Sequence, residues 1–292
     1  MYDVIIIGGG PAGVTAALYT ARANLKTAIL YKNHGALEKA EKVDNFYGNL
    51  AITGKRLVAR GLKQAKLVGA EVIKKEVVGL TQNDDKTITV QTAKEDYIAR
   101  TVIIATGASR QTPNIKGLAE LEGRGVSYCA ICDGFFHKDK DVAVVGSGAY
   151  ALHEAEDLLP IAKSVTILTN GEEPKVKFPK NVQVKTDKIS EVLSQDGFLG
   201  KSLRGVMLSG VEAIQLSGLF IALNVAGGTD LVRKIGAVLN SNSVQVDENK
   251  RTTVENLWAA GDCTGGVKQI AKAACDGMVA GLDVIKHLKE TK

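Results

Sequence analysis

Apolar residues along this 292-residue chain fall into short unbroken runs separated by stretches with helical spacing. Asp3 to Ile7 reads as a buried strand, Pro11 to Ala23 as a helix with Ala, Val and Leu at helical intervals, and Thr27 to Tyr31 as a second strand. A strand–helix–strand unit of about 30 residues is the building block of a parallel sheet. Thr101 to Ala105 predicts a further short buried strand. The pattern then restarts, with a strand over Asp141 to Val145, a helix over Ala149 to Leu159 and a strand over Ser164 to Leu168. A glycine-bearing strand end is expected at Leu257 to Asp262, followed by a helix from about Gln269 to Leu288. The fold class is therefore α/β, with two such units in one chain, the second inserted into the first. The boundaries fall near Ser109–Pro113 and Asp230–Ile235.

Two glycine loops sharpen this. Gly8-Gly9-Gly10-Pro11-Ala12-Gly13 fits G-x-G-x-x-G, follows the first strand and opens the first helix. One glycine makes the tight turn, one lets backbone approach a pyrophosphate, and one lets the helix pack close to the sheet. The helix N-terminus then faces an anion with free N–H groups and a favourable dipole. Gly146-Ser147-Gly148 repeats the first half of the motif. Both units are expected to be Rossmann-like, of the FAD/NAD(P)-binding kind. The second strand of the first unit ends Tyr31-Lys32-Asn33, with no carboxylate for a ribose, which argues against NAD in that unit.

Composition supports a core and excludes several classes. Hydrophobic residues make up 45% and charged residues 24%, which rules out a disordered tail or a small disulfide scaffold. No run of 18 apolar residues predicts a membrane helix. The chain enters its first strand directly after Met1-Tyr2-Asp3, so no targeting peptide and a cytoplasmic location are expected. Net charge is +5 and uneven: residues 1–109 hold 15 Lys/Arg against 10 Asp/Glu, and the remainder is neutral. No basic cluster interleaves with aromatics, so nucleic acid is not expected as a partner. The excess reads as a solvated lysine-rich surface or as a docking face for an acidic protein.

Four cysteines are present, two of them in Cys129-Ala130-Ile131-Cys132-Asp133. Zinc would need a second ligand pair. Cys263 and Cys275 lie 12 apart with no histidine pattern beside them, so no metal is expected and a redox pair is the better reading. Asp133 could move a proton to or from a thiol or a flavin. Cys263 and Cys275 read as buried small hydrophobes, with an accessory disulfide as the alternative, and Trp258 reads as core.

Together these residues resemble the low-molecular-weight flavoprotein thioredoxin reductases over nearly the whole chain. The markers are residues 8–13, Asp44-Asn45-Phe46-Tyr47-Gly48, Ala105-Thr106-Gly107-Ala108, Cys129 to Phe136 and Ala259-Ala260-Gly261-Asp262. The resemblance implies an FAD domain over 1–110 and 236–292, an inserted NAD(P)H-domain-like module over 111–235, and a homodimer. It also implies FAD-binding roles for Gly8, Gly10, Pro11, Ala12, Gly13, Tyr31, Lys32, Ala36, Leu37, Asn45, Val77, Ala105, Thr106, Gly107, Gly261, Asp262, Lys268, Gln269 and Ile270. Asp262 would bind the ribityl chain and Lys268-Gln269-Ile270 would pass the flavin ring. Cys132 would face the flavin, and Cys129 would exchange with the disulfide of thioredoxin.

The inserted module departs from the family. Ala149 and Tyr150 replace polar residues of its loop, removing partners and adding bulk where a phosphate would sit. Thr169-Asn170-Gly171-Glu172-Glu173 stands where the arginines that grip a 2′-phosphate are expected, and two carboxylates there would repel it. A third nucleotide segment reads Asn224-Val225-Ala226-Gly227-Gly228-Thr229. A switch to NADH, with Glu172 or Glu173 on the ribose, explains part of this. The pattern resembles more closely the ferredoxin-dependent flavin thioredoxin reductases, which lack NADPH motifs. A drop from about −400 mV for a plant-type ferredoxin to about −270 mV for thioredoxin is worth roughly 6 kcal/mol for two electrons. A dithiol oxidase using oxygen and a non-catalytic flavin redox sensor are the other readings.

Overall fold

The computed structural model describes residues 1–108, 113–196, 200–209, 212–223 and 226–291. They divide into two compact units, one formed by 1–110 with 227–292 and the other by 111–226.

The first unit begins with β1 (Tyr2–Ile7), α1 (Pro11–Arg22) and β2 (Thr27–Tyr31), the predicted elements. β1 and β2 run parallel, Val4 opposite Thr27, with Val4 to Ile7 almost wholly buried. A 3-10 turn at Ala36–Lys39 leads to α2 (Gly54–Leu67), whose first turn is capped by Thr53 Oγ1 accepting from Arg56 N at 3.3 Å. β3 (Glu71–Lys74) extends the parallel sheet, and β4 (Val77–Gln82), β5 (Ile88–Thr92) and β6 (Asp96–Ile104) form an antiparallel meander. β6 is longer than the predicted Thr101–Ala105. Its first half pairs with β5 and is partly exposed, so only the buried second half shows as an apolar run.

The second unit contains β7 (Val126–Ser127), a single turn α3 (Ala130–Asp133), β8 (Asp141–Val145), α4 (Ala149–Leu158) and β9 (Ser164–Leu168). β10 (Gln183–Lys185), β11 (Ile189–Gln195), β12 (Ser202–Leu208), β13 (Ala213–Gln215) and β14 (Gly218–Ile221) follow. A parallel sheet of order β10-β9-β8-β14-β7 is joined by the antiparallel ribbon β11-β12-β13.

The chain returns to the first unit at Gly227, a little before the expected residue 236, because α5 (Gly228–Lys234) packs on β4. A short ribbon of β15 (Leu239–Asn240) and β16 (Ser243–Val244), then β17 (Leu257–Ala259) and α6 (Ile270–Glu290), complete it. The main sheet has the order β3-β2-β1-β6-β5-β4, with β17 beside the second half of β6. Since β1, β2, β3, the end of β6 and β17 are parallel, the loops after them emerge at one edge. That edge is where open α/β sheets bind ligands.

Trp258 is 2% exposed and donates its indole N–H to Asp283 Oδ2 at 2.8 Å, a core role as expected. Cys263 is buried, but Cys275 is exposed, contrary to expectation. The buried stripe of α6 runs through Ala273, Gly277, Ala280, Gly281, Val284 and Leu288, and Cys275 falls outside it. No described helix is long and apolar enough to cross a membrane.

Candidate active site

In the first unit the glycine loop is shaped by two close approaches. A Cβ on Gly8 would meet Ala105 O at 2.1 Å, at a φ of +123° that side chains rarely adopt, and a Cβ on Gly13 would meet Gly8 O at 2.0 Å. Gly8 N still donates to Leu30 O at 2.8 Å, so the turn starts directly off the sheet. Gly10 is the N-cap of α1, no side chain caps that end, and a Cβ on Gly10 would meet nothing within 4 Å. Pro11 has no N–H to lose, which leaves Ala12 and Gly13 as the outward backbone donors of the first turn. An open cradle with free N–H groups at a helix start fits a pyrophosphate.

Of the other first-unit candidates, Thr106, Gly107 and Asp262 follow the ends of β6 and β17 at this edge. Ala105 N bonds Ile7 O, and Thr106 next to it holds a buried Oγ1 with no hydrogen-bond partner. Gly107 follows at a φ of +85°. Asn45 and Gln269, 224 residues apart in sequence, meet through Asn45 Nδ2 donating to Gln269 Oε1 at 3.3 Å. Lys268 is exposed beside Gln269, and Ile270 opens α6. Tyr31 stacks on the His34 ring, Leu37 packs on the α1 and α2 core while Ala36 is exposed, and Val77 is buried at the start of β4.

Two groups here escaped the sequence reading. Lys32 pairs with Glu76 at 2.8 Å, and the other oxygen of Glu76 is buried without a hydrogen-bond partner. A carboxylate thus reaches the end of β2 from the neighbouring turn, which a search along β2 alone cannot find. The turn carrying Asp262 is held from below by Asp276, 5% exposed, which accepts from Gly261 N at 3.1 Å and pairs with Lys250 and Lys272 at 3.0 and 2.8 Å. Lys272 also donates to Gly261 O and Gly265 O at 2.9 and 2.8 Å. Burial works to raise the Asp276 pKa, but the two ammonium groups outweigh it and hold the carboxyl below its usual range. Burial pushes the Cys263 thiol up to about 12, which makes it inert.

In the second unit Cys129 and Cys132 form a disulfide. Cys129 is fully buried and Cys132 exposed, and Cys132 N donates to Cys129 Sγ at 3.2 Å. Three side chains fix this turn. Ser127 Oγ accepts from Cys129 N at 3.1 Å and donates to Asp133 Oδ2 at 2.6 Å. Glu154, 1% exposed on α4, accepts from Ala130 N at 2.7 Å. Ile131, Phe135 and Phe136 stand exposed around the pair, at 55%, 73% and 71%. His137 meets Ser217 Oγ at 2.6 Å, and burial lowers its pKa.

The second glycine loop repeats the first close approach, since a Cβ on Gly146 would meet Ala222 O at 2.2 Å, but Ala151 stands where the first loop has Gly13. Its neighbourhood corrects one expectation. Tyr150 adds no bulk at the loop mouth. It is fully buried on the inner face of α4, and its hydroxyl donates to Tyr128 O at 3.3 Å. Glu172 instead reaches the loop: Ser147 Oγ donates to Glu172 Oε2 at 2.6 Å and Lys175 Nζ pairs with it at 2.7 Å. Those two bonds, Lys175 first, hold the Glu172 pKa down, so the carboxylate is charged. Glu173 is exposed. Asn224 and Val225 of the third segment lie outside the described residues. Among the described residues no group of His, Cys, Asp or Glu is placed to hold a metal.

Comparison with known proteins gives a consistent result. The family model for pyridine nucleotide-disulphide oxidoreductases matches residues 2–277. A thioredoxin reductase of Aquifex aeolicus is 35% identical over all of this chain and 95% of its own. Among solved structures, the atypical thioredoxin reductase TRi from Desulfovibrio vulgaris Hildenborough is 34% identical, covers 99% of both chains and has a TM-score of 0.91. A ferredoxin-flavin thioredoxin reductase from Clostridium acetobutylicum is 27% identical, covers 100% of this chain and 99% of its own, and has a TM-score of 0.73.

Proposed function

The chain belongs to the pyridine nucleotide-disulphide oxidoreductases, among the thioredoxin reductases, and on that footing we propose that it reduces thioredoxin with electrons from a reduced ferredoxin. It is a flavin-dependent disulfide oxidoreductase whose cofactor is FAD. Bound FAD supplies the conversion of single-electron donations into a pair.

The first unit is the FAD-binding domain in this reading. The backbone of Gly8 to Gly13 cradles the pyrophosphate, and Thr106 and Asp262 supply hydroxyl and carboxylate partners. Asn45 and Gln269, already bonded to each other, border the flavin. Glu76 takes the place of the missing carboxylate after β2, because its buried oxygen lacks a partner. The second unit supplies the redox pair. Breaking the Cys129–Cys132 bond takes two electrons and two protons. Asp133 Oδ2, held by Ser127 Oγ, is the group that moves a proton at this turn. A cysteine thiolate then attacks a sulfur of the thioredoxin disulfide, and the other cysteine resolves the mixed disulfide. A homodimer belongs to this reading.

The observation that carries the choice of donor is Glu172 on Ser147. A charged carboxylate sits at the loop that would take the nicotinamide nucleotide, and residues 169–174 contain no arginine for a 2′-phosphate. The same carboxylate favours one second reading, NADH, through hydrogen bonds to the ribose hydroxyls. Anaerobic reduction of the bound flavin by NADPH, NADH and reduced ferredoxin tests both. Rapid bleaching by ferredoxin alone is expected, and bleaching by a nicotinamide nucleotide at a useful rate sinks the ferredoxin reading.

A further inference from the structure

Helix α2 carries Lys55, Arg56, Arg60, Lys63 and Lys66 and no acidic residue. All five are exposed. At the helical repeat they occupy an arc of about 140° that begins beside the buried stripe of Val58, Leu62 and Ala65 and turns away from it. Among the described residues no carboxylate pairs with any of them. The whole chain carries +5, so the remainder sums to zero and the imbalance equals the charge of this one face. Its inner side lies on the dinucleotide loop: a Cβ on Gly9 would meet Leu62 Cδ2 at 3.2 Å, and one on Gly61 would meet Val14 at 3.1 Å. Just ahead of the helix, Tyr47 and Leu50 are 99% and 98% exposed.

We propose that the outer face of α2 is the docking surface for an acidic electron-donor protein of the iron–sulfur class. The inference rests on the ferredoxin reading and adds where the donor lands. Five unpaired cations on a rigid, core-anchored helix steer an acidic partner, and two exposed apolar side chains beside them supply a contact that survives once the ion atmosphere is displaced. Other occupants fit less well. A second copy would set five cations against five in an isologous contact. The helix has no aromatic residue on which a base could stack, and the exposed Ala59 and Leu67 are too few apolar residues on its charged face to enter a lipid surface.

The test is stopped-flow flavin reduction of the holoenzyme by a pre-reduced, net-negative ferredoxin at several ionic strengths, for wild type and for Lys55→Glu/Arg60→Glu/Lys63→Glu. None of the three residues belongs to the flavin loop or the disulfide. The expected result is a second-order rate at least about tenfold lower at low salt, with the salt dependence lost, since steering acts on the encounter rate. Flavin content and reduction by dithionite should be unchanged. A triple Gln variant, which only removes charge, should show an intermediate loss and guards against a folding defect in the first. Equal ferredoxin rates in wild type and variants overturn the docking surface while leaving the donor reading intact. No reduction of wild type by ferredoxin overturns both. Loss of bound FAD in the variants, or binding of wild type to anionic vesicles or DNA through α2 with ferredoxin rates unaffected, assigns the charge elsewhere and also overturns the proposal.

Discussion

Ser127 Oγ donates to Asp133 Oδ2 at 2.6 Å while accepting from Cys129 N at 3.1 Å, so one hydroxyl links the proposed proton donor to the backbone of the redox cysteine. With Ser127 6% exposed, water cannot easily replace it.

Ser127→Ala should therefore keep the disulfide and the bound flavin but slow thioredoxin reduction. A hydrogen bond to a charged group is worth about 1.5–3 kcal/mol, which corresponds to roughly tenfold to a hundredfold in rate. An unchanged rate would leave the Ser127 hydroxyl without a part in the proton transfer at this turn.

Asp276 gives a second prediction, on the acid side. Its folded pKa is depressed by Lys272 and Lys250 despite burial, so its contribution is fully present above the ordinary aspartate value of about 3.9 and is lost as pH falls below that through the depressed value. Asp276→Asn leaves both ammonium groups without their buried partner and should cost about 3 kcal/mol at neutral pH. The variant should also release FAD more readily, since Gly261 and the Asp262 turn hang on that carboxylate. Denaturant melts at neutral pH and near pH 3 check this: the gap between the wild-type and Asn curves should narrow at the acid end.

These two residues show where the sequence is readable and where it is not. The strand–glycine loop–helix pattern at residues 2–31 is local, and each piece of it appears as spacing. Ser127, Glu154, Glu76 and Asp276 act through partners 2 to 44 residues away in sequence, and nothing in their own neighbourhoods marks them. Tyr150 is the instructive error. Its place in the loop motif suggested an obstacle to phosphate, but Tyr150, Glu154 and Leu158 recur every fourth residue and form the buried stripe of α4. Helical phase, present in the sequence, decides where that ring points. Cys275 fails for the same reason in reverse, lying off the stripe of α6.

Gly8→Ala tests the first loop. The added methyl would stand 2.1 Å from Ala105 O, a backbone atom fixed in the sheet, at a positive φ. The strand or the loop must shift, and the cradle at Gly10 shifts with it. Purified variant should contain little FAD, with at least about tenfold weaker rebinding, while Gly10→Ala, whose methyl enters open space in the protein alone, should fold normally and lose affinity only through contact with the cofactor. Normal flavin content in both variants would remove the pyrophosphate from this loop.

Glu172→Gln separates the two donor readings at a single site. The amide can still accept from Ser147 and keeps the loop closed, but it removes the charge that Lys175 now pairs. If ferredoxin is the donor, nothing in the electron path touches this carboxylate, and ferredoxin-driven thioredoxin reduction should stay within about twofold of wild type. The exposed Lys175 pair contributes at most about 1 kcal/mol, so stability should barely change. If NADH is the donor, the carboxylate accepts from the ribose hydroxyls, and its loss should raise KM for NADH by tenfold or so, in line with a charge-assisted bond of about 1.5–3 kcal/mol. Steady-state assays with each donor, run on the same preparation, read both outcomes directly. A variant slowed with ferredoxin but not with NADH would contradict each reading, since it would place Glu172 on the ferredoxin path.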